Sequence, residues 1–139
     1  LHKMVNKTNV KDIKNNFKFH VMDHVEFNFL NEKVKCRSNT GYAAIFDLLS
    51  YGIESLFICG YSFYLDSFIP GYKDGSKRSD EVFAAQCFES KRHVQKTQWK
   101  FLKDIFDGDF MSCDAVLESI LKMEDLSRDE FRKNNFYTD

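Results

Sequence analysis

Two short runs in this chain combine residue types and spacing that could do chemistry. Ser38-Asn39-Thr40-Gly41 offers three consecutive N-cap residues ahead of an apolar-periodic stretch. A helix opening there presents unpaired backbone N–H groups and the positive end of its dipole, which suits a phosphate or a carboxylate. The same four residues also read as a plain helix cap. Gly60-Tyr61-Ser62-Phe63-Tyr64, followed by Pro70-Gly71-Tyr72, sets phenols just past an apolar run. Hydroxyls at that point can hold anionic oxygens; the alternative is an aromatic lid packed on the edge of a sheet. Metal chemistry is not expected. Cys36, Cys59, Cys87 and Cys113 lie more than 20 residues apart, with no C-x-x-C pair. His20 and His24 are four apart, but Phe19, Val21 and Val25 around them alternate as in a strand. Cys59, inside the most apolar run, reads as a buried free thiol. The cysteine pattern favours a reducing compartment without fixing a localisation.

The elements that must position these runs follow from periodicity. Phe17–Met22 and Val25–Leu30 are aromatic-rich and partly alternating, which predicts two short strands. Polar Asn31–Arg37 predicts a loop. A helix then covers about Tyr42–Tyr51, with Ala44, Ile45, Leu48 and Leu49 as its apolar stripe and Gly52 as its C-cap. Ser55–Cys59, apolar and stopped by Gly60, predicts a buried central parallel strand. Tyr61–Arg92 predicts a long functional or flexible loop, with a type II turn at Pro70-Gly71. A helix over about Ser90–Phe106 buries Val94, Phe101, Leu102, Ile105 and Phe106. Another, from Ser112 to about Met123, buries Val116, Leu117, Ile120 and Leu121, and a last one opens at a Ser127/Glu130 capping box. This order predicts an α/β fold: a Rossmann-like partial domain with a central parallel strand and a helical C-terminal region. It divides the single domain or fragment into a basic arm (1–18), a Rossmann-like half (19–106) and a helical tail (107–139). In such a sheet, ligands bind beyond the carboxyl ends of the strands, where both polar runs are expected.

Composition narrows the class. The 139 residues fit one domain or a piece of a larger one. Lys and Arg number 20 against 21 Asp and Glu, a net charge of -1, which argues against a general nucleic-acid binder. Hydrophobic residues reach 43% and include 15 Phe, enough for a core and too many for a disordered chain. No apolar run approaches the roughly 20 residues of a membrane span. The opening Leu-His-Lys, without Met or an apolar signal region, predicts an excised or processed segment. Charge is uneven. Lys3, Lys7, Lys11, Lys14 and Lys18 face Asp12 alone, and nine carboxylates between Asp104 and Glu130 face Lys122 and Arg128. The lysines form either an arm for an anionic partner or the solvated face of a helix.

The run SNTGYAAIFDLLSYGIESLFICGYSFY, with HVQKT at His93–Thr97 opening a helix that contains Phe101 and Leu102, resembles sialyltransferase-like glycosyltransferases of the bacterial and viral type. The likeness covers about residues 36–106, the C-terminal half of that catalytic domain. It implies metal-independent transfer of sialic acid from CMP-sialic acid, a substrate rather than a cofactor, to a sugar hydroxyl of a glycan acceptor. His93 would then be the general base, a role that imidazole fills well near neutrality. Tyr64 and Tyr72 would stabilise the departing phosphate, and Ser38, Asn39, Thr40 and Gly41 would line the nucleotide-sugar pocket. Animal-type relatives carry Glu five residues after the histidine, where this chain has Gln98. By itself, His93 reads as a solvated residue in a first helical turn. The reading from a different class is a non-catalytic assembly or binding module that keeps this half-fold.

Overall fold

The structure, a computed structural model, describes residues 22–66 and 80–133. Helix α1 spans His24–Val34, α2 Thr40–Leu49, α3 Asp80–Phe88, α4 Gln95–Ile105, α5 Ala115–Lys122 and α6 Arg128–Lys133. Strand β1 (Leu56–Ile58) pairs in parallel with β2 (Met111–Cys113), Leu56 opposite Met111 and Ile58 opposite Cys113. Parallel neighbours need a crossover, and here it runs through α3 and α4. The fold is α/β.

The N-terminal expectation needs correction. Val25–Leu30 is helix, not strand, and Asn31–Val34 continues it instead of forming a loop. Asp23 caps α1 by accepting the Val25 N–H at 2.6 Å, Glu26 stands in its first turn and Lys33 in its last. Half-buried Phe27 with fully buried Leu30 and Val34 follows the helical spacing, whereas Val25 and Phe29, which made the alternation, face solvent. The expected strand at Phe17–Met22, the basic arm, His20, the Pro70-Gly71 turn and Tyr72 lie outside the described residues, save Met22 at the edge.

Helix α2 begins at Thr40, two residues earlier than expected, and its inward side is Tyr42, Ile45 and half-buried Leu49. Ala44 and Leu48, two of the four expected stripe residues, are exposed. The helix ends on Ser50; Gly52 follows it at φ +59°. Strand β1 also differs from its expectation. Leu56 and Ile58 are buried but Phe57 is 62% exposed and Cys59 is exposed, so one face alone is covered. Among the described residues β1 has β2 as its single neighbour, an edge position rather than a central one.

Within the expected long loop lies α3, whose Ala84 is fully buried and whose Glu81 pairs with Arg128 at 3.1 Å and with Arg132. In α4 the buried face is Gln95, Gln98, Trp99 and Leu102; the expected Val94, Phe101, Ile105 and Phe106 are half-buried around it. The Trp99 indole N–H donates to the Ile120 carbonyl at 2.9 Å, which pins α4 to α5. Residues 111–113, at the expected helix start, form β2 instead, and Asp114 caps α5 by accepting the Leu117 N–H at 2.8 Å. Leu117 and Ile120 are buried as expected, with Val116 and Leu121 half-buried. Ser127 caps α6 by accepting the Glu130 N–H at 3.4 Å, one half of the expected capping box. One apolar cluster joins all these elements, α3 through half-buried Phe88, with α1 packed on both α2 and α4. Among the described residues, no helix is long and apolar enough to cross a membrane.

Candidate functional site

Three segments distant in sequence meet at Asn39, the N-cap of α2. From its own helix, Asn39 Oδ1 accepts the Tyr42 N–H at 2.8 Å, the bond that starts α2. From the turn after β1, the Tyr61 hydroxyl donates to the same oxygen at 3.1 Å. From α4, Gln98 Oε1 accepts the Asn39 N–H at 3.1 Å and Gln95 Oε1 accepts from Asn39 Nδ2 at 3.5 Å. Asn39 is therefore held on every side, and the N-termini of α2 and α4 lie side by side.

His93 stands two residues before α4, which starts at Gln95 and not at the expected Ser90, so it lies ahead of the helix and not in its first turn. Ser90 Oγ accepts the Arg92 and His93 N–H groups, both at 3.3 Å, and so turns the chain into the helix. Across from it, the Arg37 N–H donates to the Arg92 carbonyl at 3.2 Å, while His93 Nδ1 lies 2.7 Å from the Arg37 carbonyl oxygen. A carbonyl can only accept, so Nδ1 carries a proton, and in the neutral ring the lone pair is then on Nε2. Ser38 is anchored through its N–H to Asn31 Oδ1 at 2.7 Å. Its hydroxyl, and that of Tyr42, are buried with no hydrogen-bond partner among the described residues.

The turn after β1 is built to hold phenols. Gly60 takes φ +67° and donates its N–H to Asp114 Oδ2 at 2.7 Å, fixing the carboxyl end of β1 to the end of β2. Phe63 and Tyr64 follow at φ +52° and +60°, left-handed values that cost a non-glycine residue about 1–2 kcal/mol each. Burial of Phe63 and Leu65 and the edge-on contact of Tyr61 with Phe63, centroids 4.7 Å apart, offset that strain. Gly41 matters for the same contact: a Cβ there would come within 3.0 Å of the Tyr61 ring. Burial pushes the Tyr42 and Tyr61 phenols far above their usual range, with neighbouring phenols adding to the rise. Both remain neutral hydroxyls at physiological pH. Cys36 completes the cluster, its Sγ 3.5 Å from Thr97 Oγ1.

Of the residues singled out from sequence, Ser38 and Asn39 are buried, Thr40 and Gly41 are exposed in the first turn of α2, and Tyr64 and His93 are half-buried. Hydrogen bonds and the Gly41–Tyr61 approach bring the 38–41, 60–64 and 90–98 segments together. Sequence reasoning missed Gln95 and Gln98, which carried a signal: two amides three apart on the line that continues to Leu102. Asp114, directly before an apolar helix, was legible as a cap and was missed. Among the described residues, no cluster of His, Cys, Asp and Glu could hold a metal ion. Compared with family models, curated proteins and solved structures, the chain matches none.

Proposed function

We propose that this chain carries part of the site of a sialyltransferase-like glycosyltransferase that moves sialic acid from CMP-sialic acid to a sugar hydroxyl. The observation that carries the reading is the meeting at Asn39 of three segments, each bearing one of the motifs behind the resemblance. In this reading the parallel β1–β2 pair, with its α3–α4 crossover, belongs to the second half of a Rossmann-like sheet, and the donor binds beyond its carboxyl ends. The first-turn N–H groups of Thr40 and Gly41, which a helix leaves without internal carbonyls, receive the CMP phosphate. Tyr64 donates to it as charge grows, and Tyr72 acts in the same role. His93 Nε2, free because Nδ1–H is bound to Arg37, takes the proton of the acceptor hydroxyl. That oxygen bonds to the anomeric carbon of sialic acid while the bond from this carbon to the phosphate oxygen breaks, its electron pair leaving on CMP.

The test uses the full-length protein with CMP-sialic acid and a galactose-terminated acceptor. His93→Ala should lower transfer by roughly 10²–10⁴-fold, the worth of a general base, and leave CMP affinity within about twofold. Equal rates would remove His93 from the mechanism, and no transfer by the wild type would remove the reaction. One observation favours a second reading, the assembly module: Phe57 is 62% exposed on a strand with one neighbour among the described residues. A native mass above that of the monomer, together with no transfer, would select it.

A further inference from the structure

Gln95 and Gln98 are 1% and 0% exposed, yet each keeps both ends of its amide bonded. Gln95 Nε2 donates to the His93 carbonyl at 2.6 Å while its Oε1 accepts from Asn39 Nδ2 at 3.5 Å. Gln98 Nε2 donates to the Val94 carbonyl at 3.4 Å while its Oε1 accepts the Asn39 N–H at 3.1 Å. The orientation of all three amides follows from this network, since turning Asn39 over would set its NH₂ against the Tyr42 N–H. A Leu or Met at either position would fill the same space without an amide to desolvate, so burial alone gives no reason for glutamine.

We propose that Gln95 and Gln98 are positioning residues, a buried clasp that locks His93 to the N-terminus of α2. One glutamine holds the backbone of Asn39 and the other its side chain. Gln95 also grips the main chain of His93, whose imidazole is bound on its far side to Arg37. The imidazole and the first turn of α2 then move as one body. The consequence for catalysis rests on the reaction proposed above; the clasp itself does not.

The test is nitrogen NMR of the His93 imidazole in the full chain at pH 8, its signal assigned by its loss in His93→Gln. In the wild type the neutral ring should be mainly the Nδ1–H form held by Arg37. Gln95→Met should lose about half or more of that population. Gln95→Glu keeps an acceptor for Asn39 but cannot donate to the His93 carbonyl, and should do the same. Gln98→Met, which frees the Asn39 N–H, should have a smaller effect, and Lys100→Met, on the exposed side of α4, none. Folded Gln95 variants with an unchanged tautomer would overturn the clasp. So would failure of all three glutamine variants to fold, which would make these amides ordinary core residues. In transfer assays Gln95→Glu should lower kcat roughly tenfold to hundredfold, as a misplaced base does, with KM for CMP-sialic acid within about twofold. A wild type that moves no sialic acid while the tautomer effect holds sinks the reaction and leaves the clasp standing.

Discussion

At the scale of single residues, Asn39 has the most to lose. Its side chain caps α2, receives Tyr61 and donates to Gln95, while its N–H is bound to Gln98. Asn39→Ala should therefore exceed the usual loss of a helix cap, about 1 kcal/mol, because it also leaves the buried Gln95 oxygen unpaired at roughly 1–3 kcal/mol. A total of about 2–4 kcal/mol in urea unfolding is expected, and a loss below 1 kcal/mol would mean that the network contributes little. Tyr64 offers a different kind of test, since its left-handed backbone sets the ring whether or not the hydroxyl is present. On the proposed donor site, Tyr64→Phe should weaken CMP binding by about 1.5–3 kcal/mol, the worth of one hydrogen bond to a charged group. Titration calorimetry on both proteins measures this, and equal affinities would take Tyr64 out of the pocket.

Among elements, Asp114 links the most pieces. One carboxylate oxygen caps α5 through Leu117, the other receives the Gly60 N–H, and the Asp114 N–H donates to the Ile58 carbonyl at 3.1 Å. Asp114→Ala should cost about 1–3 kcal/mol. Asp114→Asn, with a single oxygen, can keep one of the two contacts, so its unfolding midpoint should fall between wild type and alanine. Faster exchange of the Gly60 or the Leu117 amide would identify which contact is given up. Elements also show where periodicity misleads. Val25, Phe27 and Phe29 alternate as a strand would, yet Phe27, Leu30 and Val34 form the face that packs. An alternation of three residues fits both periods, and the cap at Asp23 is what distinguished them.

For the whole molecule, long-range ion pairs tie the C-terminal helices to the rest. Lys96 on α4 meets Asp125, in the connection between α5 and α6, at 2.6 Å. The hydrogen bond from Lys96 holds the Asp125 carboxyl below the usual range, assisted by the lysine charge and the Leu126 backbone. A carboxyl that ionises more easily when folded adds stability above the ordinary Asp value, about 3.9, and loses it as pH falls through its lowered folded value. Both side chains are largely exposed, so the effect near neutrality is small. Lys96→Met should return the Asp125 titration, followed by carboxyl carbon NMR, to the ordinary range and flatten the acid limb of the stability curve. An unmoved titration would mean that the pair does not persist in solution.

The sequence by itself determined what local chemistry decides. Asn39 before Thr40 and Ser127 before Arg128 start helices because a short side-chain oxygen reaches its own next turn, whatever packs nearby. Leu56 and Ile58 with Gly60 behind them fixed a short strand and its end, and the α/β class followed. Tertiary structure decided everything that needs a partner far along the chain. Nothing local to β1 says that Phe57 faces solvent or that Met111 lies beside Leu56; pairing with β2 settles the register, and the apolar cluster that buries Leu56 and Ile58 on one face settles the exposure. Gln95 and Gln98 share the line of Leu102, but what their amides bond is decided only when Asn39, 56 and 59 residues earlier, packs against them. A buried amide is acceptable only where its partners are present, and those partners come from another helix.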